Sequence, residues 1–242
     1  MLMPLLAIDT STRQLGVAVV DEERLVSSYE LLAEYPHAVE LPGAVTRVLQ
    51  AAHVRLADLS AIVVDIGPGS FTGLRIGLAF VKALAFSSKR PVVGVPSLDV
   101  LAAQLPFAAQ PVCPVLDAKQ HKVYAAVYRT EAGRRARATE YLLGPIEQVL
   151  ANTDEPILFL GDGCALYRQR ILARCPQAQF AGQELWLPRA ATLARLGSEQ
   201  FRSGQRDDPA RLVPMYLYPQ DCQVRGPQRP TSVLSAPAAS PR

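Results

Sequence analysis

The chain has 242 residues, which is enough for one or two domains with a buried core. Hydrophobic residues make up 49% and charged residues 19%, which excludes general disorder. The net charge of +3 is too small for a protein that binds nucleic acid by itself. The uncharged apolar runs are shorter than the roughly 18–20 residues of a membrane span, and the first residues lack the basic start of a signal peptide, so we expect a soluble cytoplasmic protein that does not contact a membrane.

The first half of the chain alternates strand-like and helix-like segments. The predicted order is three strands, a helix, a strand, a helix and a strand, at residues 5–9, 15–20, 25–31, 37–52, 61–65, 72–87 and 91–95. The charged residues 21–24 form the second of the opening turns, so the first three strands are predicted to form an antiparallel meander. Pro42 and Gly43 weaken or kink the start of the first helix.

The second half repeats this order with less regular segments. The predicted elements are strands at 112–117, 123–128 and 136–143, a short helix at 146–150, a strand at 157–160, and helices at 164–174 and 189–203. Each half follows the pattern βββαβα, and an aspartate (Asp9, Asp117) closes each first strand. Internal duplication therefore predicts an α/β protein with tandem domains at 1–105 and 106–220, the second degenerate, followed by a flexible proline-rich tail at 221–242.

A glycine-rich string joins the fourth strand to the second helix. Residues 67–77 run Gly-Pro-Gly-Ser-Phe-Thr-Gly-Leu-Arg-Ile-Gly. A P-loop would need a lysine after its last glycine, and a dinucleotide fingerprint would need the glycines one residue closer together. The mismatches favour a tight strand-to-helix turn without a bound phosphate.

The second helix is apolar on nearly all sides. One stripe of the helix consists of the apolar residues Leu74, Leu78, Val81 and Ala85. Other faces also carry apolar side chains, namely Ile76, Phe80 and Leu84. Such a helix is either deeply buried or packed against a second chain, and the pattern leaves both open. Gly73 and Gly77, four residues apart, leave a groove that another backbone or a large side chain could approach.

These features together resemble the TsaB family, the dimerisation subunits of the bacterial tRNA threonylcarbamoyladenosine machinery. The resemblance covers about residues 4–218 and includes the string at 67–77, residues 7–12, residues 116–119 and residues 214–217. It implies an actin-like (ribonuclease H-like) fold in the superfamily of sugar kinases and Hsp70 ATPases. It also implies that the two helices of the first domain bind a TsaD-type paralogue or a second copy of the chain, through His37, Leu41, Val45, Val48, Phe71, Gly73, Leu74, Arg75, Gly77, Leu78 and Val81.

The phosphate-binding turns of that superfamily survive here only as remnants. Asp9, Thr10 and Ser11 stand at the first turn, which lacks the usual glycine, and are expected to form a capped polar turn. Asp117 stands at the second turn, where residues 119–122 are too bulky for a phosphate to approach the backbone. Residues 161–163 resemble the start of an adenosine motif, but the following side chains are expected to fill the space of a purine.

A metal site and a nucleophile are not expected either. TsaD holds its metal with a His-x-x-x-His pair, and here His37 is followed four residues later by Leu41, which cannot bind a metal. The four cysteines form no C-x-x-C pair, so a zinc site or disulfide framework is not expected. The sequence thus predicts no catalytic residues and no cofactor.

The main hypothesis is a non-catalytic scaffold that dimerises with a TsaD-type enzyme and supports threonylcarbamoyl modification of adenosine in tRNA. The resemblance also implies a TsaE-type ATPase as a third component, with tRNA bound only through the complex. The alternative is an ATP-dependent small-molecule kinase or nucleotide hydrolase that uses Asp9 and Asp117 to organise Mg²⁺. A tRNA-binding module acting alone is disfavoured, because the one basic cluster, residues 134–137, fits a solvated hairpin turn.

Overall fold

The computed structural model describes residues 3–32, 37–131, 133–151 and 155–217. Within these residues the chain forms two mixed β-sheets, of five and seven strands, with helices packed on both faces of each. The α/β class is therefore confirmed. The tail predicted at 221–242 and Cys222 lie outside the described residues.

The first sheet has the strand order β3-β2-β1-β4-β5. Its strands are β1 (Pro4–Asp9), β2 (Gln14–Asp21), β3 (Arg24–Leu32), β4 (Ala61–Gly67) and β5 (Val92–Pro96). The first three strands form the predicted antiparallel meander, and β4 and β5 run parallel to β1. Strands β1, β2 and β4 are buried along nearly their whole length, because helices cover both faces of the sheet.

The second sheet has the order β10-β7-β6-β11-β12, and β8 pairs with both β6 and β9. Its strands are β6 (Val112–Asp117), β7 (Val123–Ala125), β8 (Tyr128–Glu131), β9 (Arg134–Arg137), β10 (Leu142–Gly144), β11 (Leu158–Leu160) and β12 (Gln179–Phe180). The single strands predicted at 123–128 and 136–143 are each divided in two. The division arises because the chain changes partners after Ala125: β7 pairs with β10, whereas β8 pairs with β9.

Six α-helices lie among the described residues, with short 3₁₀ turns at Leu56–Asp58 and Gln183–Leu185. The helices are α1 (His37–Ala51), α2 (Phe71–Ser88), α3 (Ser97–Ala103), α4 (Ile146–Leu150), α5 (Gly163–Arg174) and α6 (Ala190–Arg202). On the first sheet, Leu6 and Ile8 of β1 face α1 and α2, whereas Leu5 and Ala7 face α6. This alternation follows from the two-residue period of a strand.

Helix α3 connects the two halves. Its Val100 packs into the core between the first sheet and α6, whereas Leu98 and Leu101 pack with the second sheet. The hydroxyls of Tyr128 and Tyr141 both donate hydrogen bonds to Asp99 Oδ1, at 2.5 and 2.8 Å. One short helix therefore ties both cores together.

The predicted division into domains differs from the packing of α6. The sequence assigned residues 189–203 to the second domain, but α6 packs on β1, β2, β4 and β5 of the first sheet. Its buried side includes Leu193, Phe201 and Gly197, and a Cβ atom on Gly197 would collide with Val63 of β4. Amphipathicity predicted the helix, but its pattern does not specify which sheet the apolar side covers.

The segment after α6 also returns to the first sheet. The Asp207 amide donates to the Val92 carbonyl, and the Asp207 carboxylate accepts from the Gly94 amide, so the segment covers the edge of β5. The Met215 amide then donates to the Ile66 carbonyl. The described part of the predicted second domain thus supplies both a helix and an edge cover to the first sheet.

Helix α2 is long and apolar enough to cross a membrane by length and composition, a property the sequence analysis did not assign to it. The eighteen-residue window includes Arg75 and Lys82. In this structure Leu78 and Val81 pack in the core on the first sheet, and 33% of the window is buried. The core helix of a folded domain passes the same test of length and composition.

Leu193→Ala tests the placement of α6. Removing this fully buried side chain leaves a cavity between α6 and the first sheet, so the free energy of unfolding should fall by about 2–5 kcal/mol. Leu166→Ala on α5 is the matched control, since Leu166 is largely exposed and its loss should change stability by less than about 0.5 kcal/mol. Urea denaturation of both variants provides the measurement. Equal effects of the two substitutions would contradict the packing described here.

Candidate functional site

The turn after β1 is closed over the start of α2. Thr10 Oγ1 donates to the Gly73 carbonyl at 2.8 Å, and the Ser70 amide donates to the Ser11 carbonyl at 2.7 Å. Asp9, Thr10 and Ser11 are at most 1% exposed. The polar groups of Asp9, Thr10 and Ser11 are therefore buried and not available to a phosphate.

The glycines of the 67–77 string make this contact possible. A Cβ atom on Gly69 would collide with the Ser11 carbonyl, one on Gly73 with the Thr10 carbonyl, and one on Gly77 with Thr10 Oγ1. The string is thus a tight turn, as the motif mismatches indicated. The groove expected at Gly73 and Gly77, however, is filled by Thr10 of the same chain.

Two buried carboxyl groups lie beneath this turn. Asp9 ends β1 and Asp65 lies on the neighbouring strand β4, both about 1% exposed. Burial raises the pKa of Asp65 to about 7 and raises that of Asp9 well above its usual value, with the charge of Asp65 adding to the second effect. The sequence analysis did not select Asp65 as a site residue, although its position at the end of a predicted buried strand was a signal for it.

The second turn is occupied by its own side chains. Lys119 Nζ pairs with Asp117 Oδ2 at 2.7 Å, and the Asp117 amide donates to Asp162 Oδ1 at 3.0 Å. Burial raises the pKa of Asp162, while the charges of Lys119 and Arg13 oppose that effect. Arg13 belongs to the first turn, so the first turn and the second half of the chain interact electrostatically. The two turn aspartates therefore differ, since Asp9 is buried whereas Asp117 pairs with the exposed Lys119.

The glycines at 161–163 also serve packing. A Cβ atom on Gly161 or Gly163 would collide with Val115 of β6. The following residues Cys164 and Tyr167 are buried in the core between α5 and the second sheet. These contacts explain the motif without an adenosine.

Helices α1 and α2 have a buried side and an outer side. The buried side faces the first sheet and contains most of the predicted partner residues: Leu41, Val45, Val48, Gly73, Leu74, Gly77, Leu78 and Val81. The chain's own core covers these side chains, and their predicted contact with a partner stays a prediction. Among the predicted residues, Phe71 is 57% exposed and Arg75 is also exposed, with its guanidinium over the Phe71 ring.

The outer side of these helices contains apolar residues that the sequence analysis did not select. Val39 on α1 is exposed, and Phe86 on α2 is 78% exposed. Between Phe71 and Phe86, exposed Ala79 and Ala83 are flanked by half-buried Ile76 and Phe80, so small and apolar side chains continue along the helix. Helical spacing could have separated this side from the buried stripe, had the position of the sheet been known.

Comparisons with known proteins find a TsaD family model and TsaB relatives. A family model described as "TsaD: tRNA N6-adenosine threonylcarbamoyltransferase" matches residues 31–220. The TsaB protein of Bacillus subtilis is 35% identical over 219 residues, spanning 89% of this chain and 94% of the relative. The TsaB protein of Escherichia coli is 28% identical over 221 residues, with the same coverage of each chain.

The chain belongs to the TsaB family. A solved structure described as YeaZ from Pseudomonas aeruginosa matches this TsaB-family chain with a TM-score of 0.77 and 31% identity, over 89% of this chain and all of that one. The family resemblance drawn from the glycine string and the turn aspartates is therefore confirmed. The chain has a YeaZ-like fold.

His37 fits a structural role in this TsaB-family chain. It is the first residue of α1, and its Nε2 lies 2.8 Å from the Thr12 carbonyl of the first turn. Leu41, one helical turn later, is fully buried. Within the described residues, no group of three or more His, Cys, Asp and Glu side chains is arranged to hold a metal ion.

Gly77→Ala tests the contact between the first turn and α2. The added Cβ collides with Thr10, so the free energy of unfolding should fall by about 1–3 kcal/mol despite the better helix propensity of alanine. Gly43→Ala on the exposed side of α1 is the matched control, since its Cβ meets Arg47 Nη2 at an ordinary 3.6 Å and should raise stability slightly. Thermal or urea unfolding measures both. A neutral Gly77→Ala would show that the turn can move away from α2 at no cost.

Proposed function

We propose that this chain is a non-catalytic subunit that takes part in the biosynthesis of threonylcarbamoyladenosine in tRNA. Relatives in Bacillus subtilis and Escherichia coli are named for that pathway. The observation that carries the non-catalytic role is the inward-turned first loop, whose Asp9, Thr10 and Ser11 are buried and whose Thr10 hydroxyl donates to Gly73 of α2. In a cytoplasmic complex of this kind, the transfer chemistry belongs to a TsaD-type partner.

The proposed partner surface is the outer side of α1 and α2. We define this surface by its exposed and half-buried residues Val39, Phe71, Ile76, Ala79, Phe80, Ala83 and Phe86. Its alanines allow a partner helix to approach closely, and its phenylalanines supply aromatic anchors of the kind that dominate binding energy. The same surface also suits a homodimer, and the TsaE-type ATPase and tRNA would join through the assembled complex.

Ala79→Glu tests this surface without disturbing the core. Ala79 is exposed in the middle of the outer side of α2, so glutamate should leave the fold intact but place bulk and charge in the interface, weakening association with a TsaD-type protein by more than about tenfold. The matched control is Ala165→Glu, at an exposed position of α5. Isothermal titration calorimetry measures both affinities.

A second matched pair removes apolar surface instead of adding charge. Phe86→Ala should weaken the same association, whereas Phe107→Ala, at a 96% exposed residue outside the surface, should not. Substituting Leu78 or Val81 is a poor test, because both side chains lie in the core. Unchanged affinity for Ala79→Glu and Phe86→Ala, in folded protein, would refute this interface.

Calorimetry with Mg-ATP separates the scaffold from a kinase or nucleotide hydrolase. The isolated chain should give no saturable heat, because Asp9, Thr10 and Ser11 of the first turn are buried and Lys119 pairs with Asp117 at the second. Micromolar binding of Mg-ATP by the isolated chain would favour the enzyme. This outcome is independent of whether a TsaD-type partner binds.

A further inference from the structure

Asp9 and Asp65 occupy neighbouring positions on adjacent parallel strands. The register pairs Ala7 with Val63 and Ile8 with Val64, and one further step places Asp9 beside Asp65. Adjacent strands are about 4.8 Å apart, and side chains two residues apart on a strand share a face. Because Ala7 and Val63 lie in the same core cluster, the two carboxyl groups point to the same side of the sheet.

Each carboxyl group has one satisfied oxygen and one orphaned oxygen. Asp9 Oδ1 accepts from the Ser11 amide at 2.7 Å, and Asp65 Oδ1 accepts from the Gly67 amide at 2.7 Å and from Ser97 Oγ at 2.5 Å. Among the described residues, both Oδ2 atoms and Ser11 Oγ are buried without a well-directed hydrogen bond, although the Ser11 hydroxyl lies near both carboxyls and lowers the pKa of each. Two buried carboxylates side by side repel each other, whereas a single proton between their Oδ2 atoms relieves the repulsion and satisfies both atoms.

The surrounding charges favour retention of that proton. Glu30 on β3 raises the pKa of Asp9, and Asp99 on α3 raises that of Asp65. Helix α1 contributes His37, which contacts the Thr12 carbonyl, and α6 contributes the Ala190 amide, which donates to Glu30. Arg13 of the turn acts on Asp162, and Arg189 acts on Glu30. The described charges that act directly on the pair are therefore acidic.

We propose that Asp9 and Asp65 share one proton, and that this proton holds the 9–12 turn on the start of α2. Asp9 fixes the turn through the Ser11 amide, and the turn fixes α2 through the bonds to Gly73 and Ser70. Asp65 fixes the β4–α2 connection and the first residue of α3. When the proton is lost, the carboxylates of Asp9 and Asp65 are both negative and repel each other beneath the turn. We call this shared-proton contact the latch. The latch operates whether or not the chain binds a TsaD-type enzyme.

The test is the pH dependence of unfolding in the full chain. A carboxyl whose pKa is raised on folding stabilises the folded state below its unfolded value of 3.8, and this stabilisation is lost as the pH rises through the folded value, about 7 for Asp65. Between pH 5 and 9 the unfolding equilibrium constant of the wild type should therefore rise, by up to about tenfold per pH unit for each proton involved.

Asp9→Asn and Asp65→Asn keep the shape of the side chain and supply an amide hydrogen where the shared proton lies. Each variant should flatten the rise, and the double variant should remove it. Asp58→Asn is the control, since its exposed carboxyl pairs with Arg55, has a pKa lowered to about 2 and titrates outside this range. Protection of the Ser70 amide from hydrogen exchange at pH 8.5 should be greater in Asp9→Asn than in the wild type, with the Ala181 amide of the second sheet unchanged.

Carboxyl ¹³C chemical shifts of the wild type test the pair without any substitution. The proposal expects Asp9 and Asp65 to titrate as a coupled pair above pH 5. Both carboxyls fully ionised at pH 5, or an unfolding profile whose pH dependence is unchanged in folded asparagine variants, would overturn it. Flattened profiles with equal Ser70 protection would overturn the latch.

Discussion

The close approach of the 9–12 turn to α2 is the constraint on which the rest of the first half depends. The turn sits so near the helix that Gly69, Gly73 and Gly77 have no room for a Cβ atom. Gly73 and Gly77 are one helical turn apart, so both face the turn, and Gly69 lies just before the helix begins. The spacing of the string is thereby explained by contact with Thr10 and Ser11 of the same chain, without a bound phosphate.

This contact determines which groups remain available for function. A turn that binds phosphate must direct amides and hydroxyls outward, whereas here the Ser11 amide donates to Asp9 and Thr10 Oγ1 donates to Gly73. With the first turn closed, the outer side of α1 and α2 still exposes apolar residues of the first half, among them Phe86 and Val39. A surface of small and aromatic residues on a rigid two-helix layer suits recognition of another protein better than chemistry on a small molecule.

The sequence predicted elements whose signals are local. Three strand-like runs separated by short turns predicted the meander, and the glycine mismatches predicted a turn without phosphate. Partners distant in the sequence were not predictable: nothing near Gly197 indicates Val63, and nothing near Thr10 indicates Gly77. Most residues predicted for the interface lie on the buried side of α2, because a helix that is apolar all round does not show which side meets the sheet. The position of Asp65 at the end of a buried strand was a local signal, but its pairing with Asp9 follows only from the strand register.

Helix α6 covers the first sheet although it lies after the second sheet in the sequence. Leu5 and Ala7 of β1 require α6 as cover, yet α6 follows all the strands of the second sheet in the sequence. The edge of β5 likewise receives its cover from Asp207, which is farther along the chain. The first sheet, with the 9–12 turn and α2 that depend on it, is therefore completed only after the second sheet has been synthesised. Helix α6 and Asp207 thus complete the sheet on which α1 and α2 pack.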